Sequence, residues 1–202
     1  MLIVEGLWAT VVITFFSLLI GTLLGGGVYA MQCSRRRWVR EVARWWKVVV
    51  RGTPILVLML IAFNVILGGR HGMVAAVAAF AINFSNMSAS LFQSSIESVG
   101  RGQMDAGRAL GLSNMQVLRW VVAPQAMHNA LPAYKFQAVT LLKGTSVVGY
   151  VAIQDLTNAT NMIRSTTGEH LLSLLLVTAI YFLLAWLLVK GLDCIVKKTS
   201  RV

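Results

Sequence analysis

Long uncharged runs separated by short charged segments set the pattern of this chain. Residues 6–34 contain no charged side chain, more than the about 20 residues that a helix needs to cross a bilayer core. Three further uncharged runs follow at 52–69, 72–96 and 171–189. A fifth run, 136–156, is apolar in the main but holds Lys143 and ends in Asp155. It is read as the fourth crossing because only then do the basic segments fall on one side. The pattern thus predicts an all-α integral membrane fold with five transmembrane helices, over about 6–34, 52–69, 72–96, 136–156 and 171–189. The 97–135 segment is a long connection on one face, and residues 1–202 form a single transmembrane domain.

Charge orients this arrangement. The net charge is +11, yet only 12% of residues are charged, while 57% are hydrophobic and the mean hydropathy is +0.72. A soluble enzyme, a disordered chain and a disulfide scaffold are all excluded by that balance. The 35–51 segment carries Arg35, Arg36, Arg37, Arg40, Arg44, Lys47 and Arg51. The 97–135 segment carries Arg101, Arg108, Arg119 and Lys135, and the tail Lys190, Lys197, Lys198 and Arg201. Only Arg70 and Arg164 fall on the other side. The positive-inside rule then places the amino terminus outside and the carboxyl terminus in the cytoplasm. The Arg-rich stretch with Trp38, Trp45 and Trp46 reads as a segment lying on anionic lipid headgroups rather than a nucleic-acid site. Glu5 in place of a basic n-region argues against a signal peptide. Cys33, Cys194, His71, His128 and His170 are scattered, so neither a metal site nor a catalytic pair is expected.

The 97–135 segment has its own grammar. Gln103 to Leu110 reads as a short helix stopped by Gly111. Ser113 or Asn114 can cap a second helix through Met115, Val117, Leu118 and Val121. Pro124 is expected to end or kink it, and Pro132 to open the next element. Such a helix–turn–helix suits either docking into a groove of another protein or resting on the membrane.

The residues themselves choose between these. Asp105-Ala106-Gly107, Gly111 and Val121-Val122-Ala123-Pro124 keep the spacing E-A-A-x3-G-x9-I-x-L-P. This resembles the EAA motif of ABC importer permeases. Gly102-Gln103, Ala109-Leu110-Gly111-Leu112-Ser113 and Pro124-Gln125-Ala126 resemble the polar amino acid branch of that family. So do Arg51-Gly52-Thr53-Pro54, similar to its R-G-T-P, and Lys143-Gly144-Thr145-Ser146, similar to its K-D-T-S.

The resemblance implies a permease subunit in a bacterial cytoplasmic membrane. It would pair with a second permease subunit, identical or homologous, and receive solute from an extracytoplasmic binding protein. Two ABC ATPase subunits would each take one EAA helix, so Asp105, Ala106, Gly107, Gly111, Leu112 and Pro124 become the coupling residues. ATP would be used by that separate chain, since no G-x4-G-K-[S/T] phosphate loop occurs here and no cofactor is expected. Asn86, Ser90 and Gln93 fall on one face of span three at i, i+4 and i+7, and form the candidate substrate path with Lys143, Thr145 and Ser146. Here the chain departs from the family. Ser90 stands where a Glu is usual, Gln93 for an Arg, Met87 for a Tyr and Gly144 for an Asp. The expected solute is a polar amino acid; the alternatives are another small polar solute, or a non-transporting half that supports a partner.

Overall fold

The computed structural model describes residues 2–151, 153–167 and 170–199; Arg201 of the basic tail lies outside the described residues. The elements in order are α1 (Leu2–Gln32), α2 (Arg37–Gly52), α3 (Ile55–Leu60) with a π-helical continuation Ile61–Ile66, and α4 (Gly72–Glu97). Then come α5 (Arg101–Ala109), α6 (Asn114–Val117), a π-helical stretch Leu118–Val122, α7 (Ala123–Gly144), a 3-10 stretch Thr145–Val151, α8 (Leu156–Thr167) and α9 (His170–Thr199). Among the described residues there is no strand.

Three helical stretches are long and apolar enough to cross a membrane: Ile3–Gln32, Gly72–Glu97 and Leu171–Cys194. Two bent pairs raise the count to five if each is one span. Arg37–Gly52 with Ile55–Ile66 turns by 103°, and Asn114–Val151 with Leu156–Met162 by 56°. The expected second span, 52–69, is therefore helical only over Ile55–Ile66, after a sharp turn at Pro54.

The principal pair is α1 on α4. Gly21 and Gly25, four residues apart, let the backbones meet. A Cβ on Gly21 would lie 2.8 Å from the Phe84 Cβ, and one on Gly25 2.6 Å from the Ser88 Cβ and 2.8 Å from the Ser85 carbonyl oxygen. In lipid, where apolar surface gives helices little reason to associate, such close approach supplies the packing energy. The hydroxyls of Thr10, Thr14 and Ser17 on α1 are satisfied by backbone carbonyls. Thr10 and Thr14 donate to the carbonyls of Gly6 and Thr10 at 2.9 and 2.7 Å, and Ser17 donates across to the Val77 carbonyl at 3.3 Å. The core gathers Ile13, Met59, Phe80, Phe84, Ala138, Leu141 and Val148 from α1, α3, α4, α7 and the 3-10 stretch. By contrast α9 buries little of its apolar surface, with Leu171, Phe182 and Leu183 all exposed.

The new element expected to open at Pro132 is absent. Helix runs from Asn114 to Gly144 without a break, Pro124 sits in the first turn of α7, and Pro132 lies inside that helix rather than opening an element. The wider π turn just before Pro124 relieves the clash its ring would make with the carbonyl four residues back.

Candidate functional site

The first candidate is the unit α5–turn–α6, and its turn is built from sequence upward. Leu110 closes α5, and Gly111 follows at φ +81°, a left-handed conformation that favours glycine. The Leu112 N–H donates to the Gly107 carbonyl at 3.1 Å and the Gly111 N–H to the Arg108 carbonyl at 2.9 Å. Those two bonds are the Schellman pattern. Ser113, one of the two expected caps, then starts α6. Its N–H donates to Gln116 Oε1 at 2.8 Å, while the Gln116 N–H donates back to the Ser113 hydroxyl at 3.4 Å.

Close packing fixes the angle between the two helices. A Cβ on Gly107 would lie 2.7 Å from Cγ2 of the fully buried Val117. Val99, Val117, Val122 and Ala126 form a separate small core, flanked by Met104, Leu112 and Val121. Arg108 Nε donates to Asn114 Oδ1 at 2.9 Å across the turn. What this scaffold presents outward is mixed in character. The Asp105 side chain is 72% exposed and pairs with Arg108 at 3.5 Å, and Ala106, Leu110, Met115 and Pro124 are exposed as well.

The path candidates are less concentrated. Asn86 is buried on α4 with its Oδ1 unpartnered. Ser90 is exposed and donates back to the Asn86 carbonyl at 3.1 Å, and Gln93 donates to the Glu97 carboxylate at 3.0 Å. Gln93 also lines a groove with Gln32 and α2, whereas Lys143 lines a different one, of about 640 Å³, with Val177, Tyr181 and Trp186 of α9. Thr145 is buried, its hydroxyl bonded to the Leu142 carbonyl at 2.7 Å, and Ser146 is exposed. Gln93 and Lys143, one residue of each set, thus line separate grooves on this chain.

Two polar features escaped sequence reading. Lys135 within α7 pairs with Asp193 near the end of α9. Asp155 is buried and caps α8, accepting the N–H groups of Thr157 and Asn158, both at 3.1 Å. The second had a local signal, an Asp followed by a helix start; the first had none, because its partners are far apart in sequence.

Comparison with known proteins decides the family. Residues 17–201 match the family model described as the binding-protein-dependent transport system inner membrane component. The chain belongs to this family. It is 30% identical over 164 residues to the octopine transport system permease protein OccM of Rhizobium meliloti, covering 75% of this chain and 67% of that protein. Over 190 residues it is 30% identical to the nopaline transport system permease protein NocM of Agrobacterium fabrum, covering 88% and 79%. It is 28% identical over 190 residues to the L-cystine transport system permease protein TcyB of Bacillus subtilis, covering 91% and 80%. Among solved structures, an amino acid ABC transporter crystallised with histidines matches at a TM-score of 0.87 and 32% identity, covering 98% of this chain and 94% of that one. The methionine transporter MetNI shares the fold at a TM-score of 0.78 and 23% identity, covering 98% and 95%. This is the helical fold of a type I ABC importer permease, in a bacterial inner-membrane transport subunit.

Proposed function

We propose that this permease forms, with a second permease subunit, the translocation path for polar amino acids, and that a separate ATPase drives it through the α5–α6 unit. The observation that carries the reading is the self-packed helix–turn–helix, which turns Asp105, Ala106 and Leu110 outward while Gly107 and Gly111 fix its shape. Asp105 offers a carboxylate for a charge-assisted contact with a cation on one ATPase subunit, the second permease subunit taking the other ATPase. Gly107, Gly111 and Leu112 hold the turn, and Pro124 locates the π turn that leads into α7. Solute arrives from an extracytoplasmic binding protein, as the family name implies.

Asn86, Ser90 and Gln93 contribute a polar row to the path, with Lys143, Thr145 and Ser146 at the end of α7. The relatives carry octopine, nopaline and cystine by name, which supports an amino-acid-like solute. A cation in a low-dielectric path needs a carboxylate nearby. Between Glu41 and Glu97 the sequence has no acidic residue, and Lys143 adds a positive charge. A homodimer therefore favours neutral or acidic solutes over arginine or lysine.

The membrane plan has five crossings, the amino terminus outside and the carboxyl terminus cytoplasmic. The Lys135–Asp193 pair supports it, because it ties the entry of α7 to the exit of α9 on one side. A reporter fused at Arg164 is expected to read outside and one at Lys198 inside. Both reporters on the same side would remove a crossing and refute the plan.

A further inference from the structure

The helix before the first sharp bend, α2, carries a charged face. Arg40, Arg44, Lys47 and Arg51 recur at steps of four, three and four along α2 and so form one row. That row lines a groove of about 460 Å³ together with Gln32, the last residue of α1, and Gln93 near the end of α4. Ala43 and Val50 are buried and seat α2 on the bundle, Ala43 clustering with Val28 of α1 and Ala89 of α4. On the side opposite the basic row, Trp38, Val42, Trp45 and Val49 are 64%, 50%, 66% and 58% exposed.

Counter-charge in the groove is short. Glu41 pairs with Arg44 at 2.8 Å, and Arg40 donates to the Ser34 carbonyl at 3.1 Å. Lys47 and Arg51 meet no carboxylate within 4.0 Å among the described residues. Gln32 Nε2 is buried with no acceptor, which costs free energy unless something supplies one.

We propose that this groove binds the phosphate of an anionic phospholipid headgroup. One phosphate offers acceptor oxygens to the guanidinium groups, the ammonium and the unpartnered amide at once, and neutralises a row of like charges. The anion comes from lipid because α2 has the form of an interfacial helix. It exposes a Trp and Val row opposite its cations and then turns by 103° into α3. A headgroup held there joins α2 to Gln93, at the end of the polar row of α4, so anionic lipid content sets how firmly α2 is held against that helix. The inference rests on the membrane placement proposed above and needs no statement about transport.

The test uses the permease purified with its ATPase from bilayers of phosphatidylcholine with about 20% phosphatidylglycerol. After detergent exchange, retained phosphatidylglycerol is counted by mass spectrometry. Lys47→Gln/Arg51→Gln is expected to lose the retained lipid, while Arg35→Gln/Arg37→Gln, an equal charge loss outside the groove, keeps it. Gln32→Leu removes only the buried donor and is expected to lower retention about fivefold. If the first pair does not fold, Gln32→Leu decides alone, since it leaves every charge in place. Equal loss in the two charge variants, or wild-type retention in Gln32→Leu, would mean a generic basic surface and overturn the site. Displacement of the lipid by about 10 mM inorganic phosphate would assign the groove to a free anion and overturn the lipid reading. Retention is read without transport, so a failed uptake assay and a failed lipid assay point to different errors.

Discussion

Replacing Gly111 with leucine is expected to abolish uptake while leaving the permease inserted in the membrane. Gly111 sits at φ +81°, where a side chain costs about 1–2 kcal/mol, and its turn is closed by two backbone bonds that depend on that conformation. Leucine there opens the turn, so Asp105, Ala106 and Leu110 no longer stand together on the surface proposed to meet the ATPase. The membrane helices pack elsewhere, around Phe84 and Ile13, and are not touched. Asp105→Ala probes the same contact by charge alone. A hydrogen bond to a charged group contributes about 1.5–3 kcal/mol, so docking should weaken about tenfold to hundredfold. Co-purification of the ATPase with each variant, at wild-type permease yield, reads this out. Full ATPase recovery with both would mean that the α5–α6 unit merely rests on the membrane.

The second large effect belongs to the α1–α4 contact. Gly25→Leu is expected to prevent recovery of folded protein. Even a single Cβ at Gly25 would press to 2.6 Å from Ser88 and 2.8 Å from the Ser85 carbonyl, and backbone cannot yield as a flexible side chain does. Overpacking of this kind costs about 3 kcal/mol. Gly27→Leu is the matched control, because nothing lies within 4 Å of a Cβ there. Monodisperse protein on size exclusion should be recovered with Gly27→Leu and lost with Gly25→Leu. Equal recovery would show that the helices do not depend on this approach.

How far the sequence could be read follows from the range of each interaction. The helix–turn–helix was legible because its signals are local: Gly111 ends α5, and the Ser113–Gln116 box begins α6, both within four residues. The long apolar runs likewise marked α1, α4 and α9. Pro132 misled, because a proline can sit inside a helix whose neighbours supply the lost packing. The 103° bend before α3 was invisible, since charge and hydropathy fix which residues enter the membrane but not the angle at which they do so. Lys135 and Asp193 carried no local sign of their pairing. Asn86, Ser90 and Gln93 stand out as polar residues in an apolar run, and Lys143, Thr145 and Ser146 by their likeness to K-D-T-S. Those signals found Asn86, buried with an unpartnered oxygen, but they could not foresee that Lys143 and Gln93 line different grooves.

The central claim, an ATP-driven importer of polar amino acids, is tested most directly by uptake of labelled glutamine into proteoliposomes. These would hold the permease and its ATPase, with the solute-binding protein outside and ATP inside. The account predicts accumulation that stops when the ATPase, ATP or the binding protein is omitted. In a homodimer it also predicts stronger competition by glutamate than by arginine. Glutamine entry that continues without the ATPase or without ATP would contradict it.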